Sequence, residues 1–361
     1  MSSLLVEVVR IGDVTKHPNA DTLSIAEIKG WNCIVKDGQF RKGDLGLYIP
    51  IDSVLPDAMV EAHQLEYLKN GARVRTVKLR GVLSQGLLLQ LPAGHRFREG
   101  DNPAEALGIT KWEPPAPSYQ GTPNIAKSTK NRPNPNFTRY CDPENIKNYP
   151  SVFARGDMVV ITEKIHGTNV RFGNVPRNWG AGLWARLKRL LLGRWLGSYE
   201  FAVGSRNVHL IGDNPQFYEG NIYHKIAKKH NLANMIPEGY TLYGEIYGDK
   251  IQDLTYGKTN GEIDVVFFDL KKGERYVPWQ EFLDFCTPRG LPVVPVLYIG
   301  SFDANLTPIH TGGKSALYPK QMREGCVIKT TIEENDLRIG RKILKSVSEE
   351  YLLRKNGTEY H

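Results

Sequence analysis

The chain has 361 residues, of which 40% are apolar and 24% charged, and its formal net charge is +8. That length exceeds what one ordinary core fills, so two domains are expected, and the composition is globular rather than disordered or fibrous. No stretch approaches the ~18 uninterrupted apolar residues of a membrane span, and Met1-Ser2-Ser3-Leu4-Leu5-Val6-Glu7 lacks the basic and long apolar regions of a secretory signal. The excess of Lys and Arg suits a polyanionic partner, although a merely basic soluble protein would show it too.

Residues 1 to about 105 read as short β segments: Leu5-Val6-Glu7-Val8-Val9, Cys33-Ile34-Val35, Leu45-Gly46-Leu47-Tyr48-Ile49 and Gly86-Leu87-Leu88-Leu89. Turn pairs such as Asp37-Gly38 and Gly43-Asp44 separate them, and many short strands in this span predict a small β-barrel. Next comes a stretch holding Pro114, Pro115, Pro117, Pro123, Pro133 and Pro135 among Gly, Ser, Asn and Lys, which is linker composition. The reading is therefore α+β: a barrel over 1–110, a linker over 111–136 and a mixed domain over 137–361. Within the second domain, Trp179 to Trp195 form a basic amphipathic pattern, with Leu183, Leu187, Leu190 and Leu191 at helical spacing and Arg186, Lys188 and Arg189 elsewhere. A helix packed on its domain is the first reading, and a surface for RNA or anionic lipid the second. Cys33, Cys141, Cys286 and Cys326 lie far apart, without metal-ligand spacing, as expected of reduced thiols in the cytoplasm.

The strongest signal is a predicted strand, Asp157-Met158-Val159-Val160-Ile161, running into Thr162-Glu163-Lys164-Ile165-His166-Gly167-Thr168-Asn169-Val170-Arg171. A Lys at a strand end projects its amine into a cleft, and a following Gly lets the chain turn close to a phosphate. An ordinary amine is protonated and cannot attack; cationic neighbours or desolvation must favour the neutral form. Further pieces follow downstream: Tyr243-Gly244-Glu245-Ile246-Tyr247-Gly248, Asp264-Val265-Val266-Phe267-Phe268-Asp269, Glu324-Gly325-Cys326-Val327-Ile328-Lys329 and Arg341-Lys342-Ile343-Leu344-Lys345. Two carboxylates for Mg²⁺, an aromatic ring for a base and lysines for phosphate make a coherent set. Each piece alone reads more simply as a surface turn, a core aromatic or a solvated face. The set, in one order and each piece at the end of a predicted strand, points to a nucleotide site.

This set resembles the covalent nucleotidyltransferase superfamily of polynucleotide ligases and capping enzymes. Lys164-Ile165-His166-Gly167 is similar to its first motif, whose Lys becomes a lysyl-AMP; that family more often has Asp where His166 stands. His166 with Thr168-Asn169 is similar to the nick-sealing RNA ligases. Ser205-Arg206-Asn207 resembles the next motif, Glu245 the third-motif carboxylate, Phe268 the base-stacking aromatic and Glu324 the fourth-motif carboxylate. Lys342 and Lys345 resemble the fifth motif, with two residues between them where the family has one; Lys345 is the favoured phosphate contact. The stretches His17-Pro18-Asn19-Ala20-Asp21-Thr22-Leu23 and Lys78-Leu79-Arg80-Gly81-Val82-Leu83-Ser84-Gln85-Gly86 resemble OB-fold modules that bind tRNA, and the N-terminal domain of Deinococcus-type RNA ligases.

The resemblance implies an OB-fold followed by an ATP-grasp-like adenylation domain, with an insertion over 176–200. It implies an RNA ligase that uses ATP with Mg²⁺ or Mn²⁺, carries AMP on Lys164 and joins RNA 3′-OH and 5′-phosphate ends at nicks, as a monomer without a membrane. Glu245 and Glu324 would hold the metal, Glu163 would lie beside the adenine, and Arg171 and Arg206 would touch ribose or phosphate. His166, Gly167, Asn169 and Phe268 would complete the nucleotide site. DNA ligases and capping enzymes share the Lys164 motif but carry their OB domain after the fifth motif, and only Ser346 to His361 follow Lys345. A non-catalytic RNA-binding protein is the remaining alternative, and no motif lacks a key residue.

Overall fold

The structure, a computed structural model, describes residues 5–65, 68, 72–112, 134–180, 190–192, 197–206, 208–210 and 221–354. The body of the Pro-rich linker and most of the amphipathic segment from Trp179 to Trp195 lie outside the described residues. Among the described residues, no helix is long and apolar enough to cross a membrane. The chain divides into two compact units: residues 1–118, 144–152 and 346–361 form one, and 119–143 with 153–345 form the other.

The first unit is built from short antiparallel strands. One sheet has the order β1 (Glu7–Arg10), β5 (Leu45–Ile49), β9 (Leu87–Leu89), and another the order β2 (Val14–Lys16), β3 (Leu23–Ile28), β4 (Trp31–Lys36). Two smaller pairs join β6 (Ser53–Val54) to β10 (Thr110–Lys111) and β7 (Val77–Leu79) to β8 (Val82–Ser84). Alternation explains β3 and β4: Ala26, Ile28, Trp31, Cys33 and Val35 face inward and pack with Val9, Ile11, Phe40, Tyr48 and Leu88. Strand β5 breaks the alternation because both its faces are covered. Tyr48 enters that cluster, whereas Leu47 and Ile49 enter a second one with Val6, Leu55, Val74, Leu89 and Ile109.

Two later pieces of chain complete this unit. In the segment 144–152, which opens with β11 (Glu144–Asn145), Asn148 Oδ1 accepts from the Trp31 indole at 3.1 Å. Lys147 Nζ stands 4.6 Å above the Trp31 ring and donates to Gln85 Oε1 at 3.0 Å. The short C-terminal helix Glu349–Leu353 is capped by Ser348, whose hydroxyl accepts from Tyr351 N, and it buries Tyr351 and Leu352.

The second unit holds two sheets. In one the order is β14 (Tyr199–Ser205), β13 (Thr168–Pro176), β15 (Tyr240–Gly248), β16 (Ile263–Lys272), β17 (Arg275–Tyr276). In the other, β22 (Ile343–Val347), β19 (Gly325–Thr330), β12 (Met158–Lys164) and β18 (Val296–Ser301) lie side by side. Between β19 and β22 comes a small hairpin of β20 (Asn335–Asp336) and β21 (Gly340–Arg341). The core takes Val160 from β12, Val170 and Phe172 from β13, Leu242 and Ile246 from β15, and Val265, Phe267 and Leu270 from β16. Helix Ile222–Lys229 adds Ile226 and Ala227, and helix Trp279–Cys286 adds Trp279, Phe282, Phe285 and Cys286. With Val170 and Phe172 committed to this core, the period of two places Asn169 and Arg171 on the opposite face of β13.

Candidate active site

Strand β12 is flanked by β19 on one side and β18 on the other, and its residues from Val159 to Glu163 are buried. The predicted strand therefore extends to Lys164, which sits opposite Gly325, while Glu163 sits opposite Cys326. This register brings Lys164 beside Glu324. Lys164 Nζ donates to Glu324 Oε1 at 2.6 Å, with the glutamate side chain wholly buried and the lysine side chain 14% exposed. A buried carboxylate against a nearly buried ammonium is stable only as a pair, so each holds the other in the site.

The side chains around this pair come from β12 itself, the turn that follows it, and the neighbouring strands β13 and β15. Glu163 is buried; its Oε2 accepts from the backbone N–H groups of Ala316 at 2.7 Å and Leu317 at 3.2 Å. Its Oε1, also buried, has no hydrogen-bond partner among the described residues, which leaves an acceptor for an incoming donor. His166 is buried too, with Nε2 2.7 Å from Asp253 Oδ1 and Nδ1 3.8 Å from Glu324 Oε2. Gly167 follows at a point of contact between strands: a Cβ there would lie 2.1 Å from the Ile246 carbonyl oxygen. No side chain fits, which is why the turn needs glycine.

Across β13 and β15, Asn169 pairs with Glu245, and its side chain hydrogen-bonds the Glu245 carboxyl. Burial pushes the Glu245 carboxyl up to about 8, and the charge of Glu324 adds to the rise against the opposing pull of Lys164 and Arg206. The structure thus gathers Lys164, Glu245, Glu324, His166 and Asn169, with Arg206 close enough to act on Glu245. Arg206 is also ion-paired with Asp142.

Several other predicted site residues have partners of their own. Arg171 is buried beneath Phe137: its guanidinium donates to the Phe137 carbonyl at 2.9 Å and lies 4.4 Å over that ring. Burial lowers its pKa to about 10. Phe268 lies on β16, partly buried, with its ring edge-on to Tyr140 at 5.0 Å. Lys342 is bound to two carboxylates, Asp157 at 2.6 Å and Glu334 at 3.2 Å. Lys345 is buried on β22, the strand beside β19.

One group of buried charges escaped the sequence reading. Asp269 is fully buried and pairs with Lys329 at 3.0 Å and Arg341 at 2.6 Å, and it also accepts from the Tyr140 hydroxyl at 2.8 Å. Burial pushes the Asp269 carboxyl up, but Arg341 and Lys329 outweigh it and hold the group below the usual carboxylate range. Arg341 continues the network to Glu333 at 2.5 Å and lies 3.8 Å over the Tyr276 ring. The available signal was charged residues inside two apolar strands, Asp269 and Lys271 on β16 and Lys329 on β19.

A strand-end lysine held by a buried carboxylate, on a mixed scaffold that follows a small barrel, defines a covalent nucleotidyltransferase fold with an OB domain. The chain belongs to the RNA ligase family, which matches residues 157–347, and an OB-fold domain family matches residues 5–91. Among solved structures it resembles the Naegleria gruberi RNA ligase. A lysine-to-alanine mutant without ligand gives a TM-score of 0.76 at 24% identity, covering 97% of this chain and 98% of that one. A lysine-to-methionine mutant with AMP and Mn gives 0.75 at 23% identity over 97% and 98%. The same ligase with PPi gives 0.70 at 23% identity over 97% and 98%. At this identity the likeness establishes the fold, which is the α+β arrangement read from the sequence. No curated protein sequence matches the chain.

Proposed function

We propose that this RNA ligase uses ATP to form a lysyl-AMP at Lys164 and then seals RNA ends at nicks in duplexes. The observation that carries the reading is the Lys164 amine held 2.6 Å from buried Glu324, with Glu245 beside both. In the first transfer the Lys164 ammonium gives a proton to Glu324 and the neutral amine attacks the α-phosphorus of ATP: a P–N bond forms, the bond to the oxygen bridging the α- and β-phosphates breaks, pyrophosphate leaves and the nitrogen loses its second proton. Glu324 is the near acceptor and holds the amine in line. AMP then passes to an RNA 5′-phosphate, and the RNA 3′-OH displaces it. Catalysis of this kind is mainly positioning and charge stabilisation.

The donor set suits a divalent cation. Two crowded carboxylates, Glu324 buried and Glu245 half-buried, cost each other charge, and both would hold a Mg²⁺ or Mn²⁺ that relieves it. The ion would neutralise phosphate charge, and phosphate oxygens and water would supply its other ligands. Among the described residues no three His, Cys, Asp or Glu side chains converge as a metal site. Solved forms of the Naegleria ligase hold ATP and Mn, or AMP and Mn. The open acceptor at Glu163 Oε1 suits the exocyclic amine of adenine, Phe268 offers a ring for the base, and Arg206 and Lys345 are cations for ribose and phosphate. Lys342, already paired with Asp157 and Glu334, is the weaker phosphate candidate. The OB domain holds the duplex beside the nick, and the enzyme works as a cytoplasmic monomer.

Incubation with labelled ATP and Mg²⁺ tests the reading. The wild-type protein acquires a covalent AMP and Lys164→Ala does not, whereas an adduct that persists in Lys164→Ala refutes the assignment. Labelling by GTP as efficient as by ATP would move the protein toward the capping enzymes.

A further inference from the structure

The loop between β15 and β16, residues 249–262, folds onto the turn that follows the nucleophile and touches its two central residues three times. The Tyr256 hydroxyl accepts from His166 N at 2.7 Å, and Gln252 Nε2 donates to the Gly167 carbonyl at 3.4 Å. Asp253 Oδ1 meets His166 Nε2 at 2.7 Å. The loop is held in shape by its own contacts: Asp249 N donates to Glu262 O at 2.9 Å, Gly261 N to Asp249 Oδ2 at 2.8 Å and Tyr256 N to Gln321 Oε1 at 3.1 Å. Lys250, Tyr256 and Asn260 adopt φ of 61°, 53° and 55°, a left-handed conformation that persists in non-glycine residues only where the surroundings impose it.

We propose that Asp253 is a positioning residue that orients His166 against Glu324 and thereby sets the Lys164 amine. The geometry forms a chain from solvent to nucleophile. Asp253, 44% exposed, meets Nε2; Nδ1 of the buried ring faces Glu324 Oε2 at 3.8 Å; and Glu324 Oε1 holds Lys164 at 2.6 Å. An imidazole has two unlike edges, and the partner of one nitrogen decides what the other presents. A carboxylate on Nε2 therefore fixes the edge shown to Glu324, just as a carboxylate fixes the orientation of a metal-bound or catalytic His. Asp253 need not touch the nucleotide: it acts through His166, on the rate of amine attack rather than on ATP affinity.

The inference rests on Lys164 as the adenylated residue, and two independent readouts test it. The first is single-turnover lysyl-AMP formation by Asp253→Ala, Asp253→Asn, His166→Ala and the Asp253→Ala/His166→Ala double variant. Asp253→Ala should slow the step roughly 10- to 100-fold with little change in the KM for ATP. Asp253→Asn keeps an acceptor oxygen for Nε2–H and should recover most of the rate. In the His166→Ala background Asp253→Ala should cost nothing further, because its route is gone. Additive losses would mean that Asp253 meets nucleotide or metal directly, and a wild-type rate in Asp253→Ala would mean that it does nothing; either overturns the proposal. The second readout is the His166 ring in long-range ¹H–¹⁵N spectra of the nucleotide-free protein, which must change in Asp253→Ala. An unchanged ring signal overturns the orienting role, whether or not an adduct forms. If the ring changes as expected but wild-type protein never labels, the failure belongs to the Lys164 assignment.

Discussion

Substituting Gly167 by Ala adds a single methyl at the tightest point of the site. The new Cβ would lie 2.1 Å from the Ile246 carbonyl oxygen and 3.0 Å from Glu245 Cγ, whereas real Cβ contacts under 3.0 Å are essentially never seen. Relief requires the backbones of β13 and β15 to part by about 1 Å where Thr168 faces Ile246 and Asn169 faces Glu245. Overpacking of this kind costs about 1–3 kcal/mol of stability. In a domain of this size that lowers Tm by about 2–4 °C per kcal/mol. The larger effect is on chemistry, because Glu245 moves with its strand, and a misplacement of about 1 Å can cost roughly 100-fold in rate. Single-turnover adenylation with labelled ATP, alongside thermal melting, separates the two effects. Gly312→Ala is the control: no neighbouring atom lies within 4 Å of its Cβ and its φ is −94°, so it should leave both readouts unchanged. Gly167→Ala adenylating at the wild-type rate would show that β13 and β15 tolerate the separation, and that the register at Glu245 does not matter for the first transfer.

Lys345→Ala should lose adduct formation far more severely than Lys342→Ala, since Lys342 is already satisfied by Asp157 and Glu334; loss confined to Lys342→Ala would reverse the choice. Asp269→Asn should destabilise the protein by about 3–5 kcal/mol in urea unfolding at neutral pH, because it leaves Lys329 and Arg341 buried against a neutral group. The sign of the pH effect follows from the depressed carboxyl: its contribution is complete above the unfolded-state value of about 3.9 and is lost as pH falls through the lower folded value. The difference between wild type and Asp269→Asn should therefore shrink below about pH 4; a constant difference would mean that the charge is not what stabilises. Nicks whose 3′-OH strand ends in RNA should be sealed much better than all-DNA nicks, because a terminal 2′-OH adds a donor and an acceptor and favours A-form geometry. Equal sealing of both substrates on denaturing gels would make the enzyme a general ligase.

The parts legible in the sequence are those carried by neighbouring residues. Alternation in Trp31 to Val35 and the apolar run at Leu45 to Ile49 announce strands because each is a local pattern. Lys164 could be singled out because the strand, the lysine and the glycine are contiguous, and Glu245 and Glu324 because each sits beside a glycine, although Glu245 lies inside β15 and only Glu324 at a strand start. What stayed hidden depends on register. Asp269 and Lys329 are 60 positions apart, and His166 and Asp253 are 87 apart. Nothing local in either member of such a pair records which residue it will face. Arg171 shows the converse: its place after the first motif suggested a ligand contact, whereas the period of β13 and the ring of Phe137 decide where its guanidinium lies.

Strand β12, which ends at Lys164, is hydrogen-bonded along both edges, to β18 and to β19, almost to the lysine itself. Its backbone is therefore closely held, and in the proposed mechanism an AMP attached to Lys164 would sweep only the arc that one aliphatic tether describes. In the proposed mechanism the enzyme would work like a fixed loading dock: ATP, a 5′-phosphate end and finally a 3′-hydroxyl would come in turn to nearly the same point in space. On that proposal the order of the three transfers would be governed by which cargo can enter while the previous one still occupies the berth, so pyrophosphate would leave before an RNA end approached.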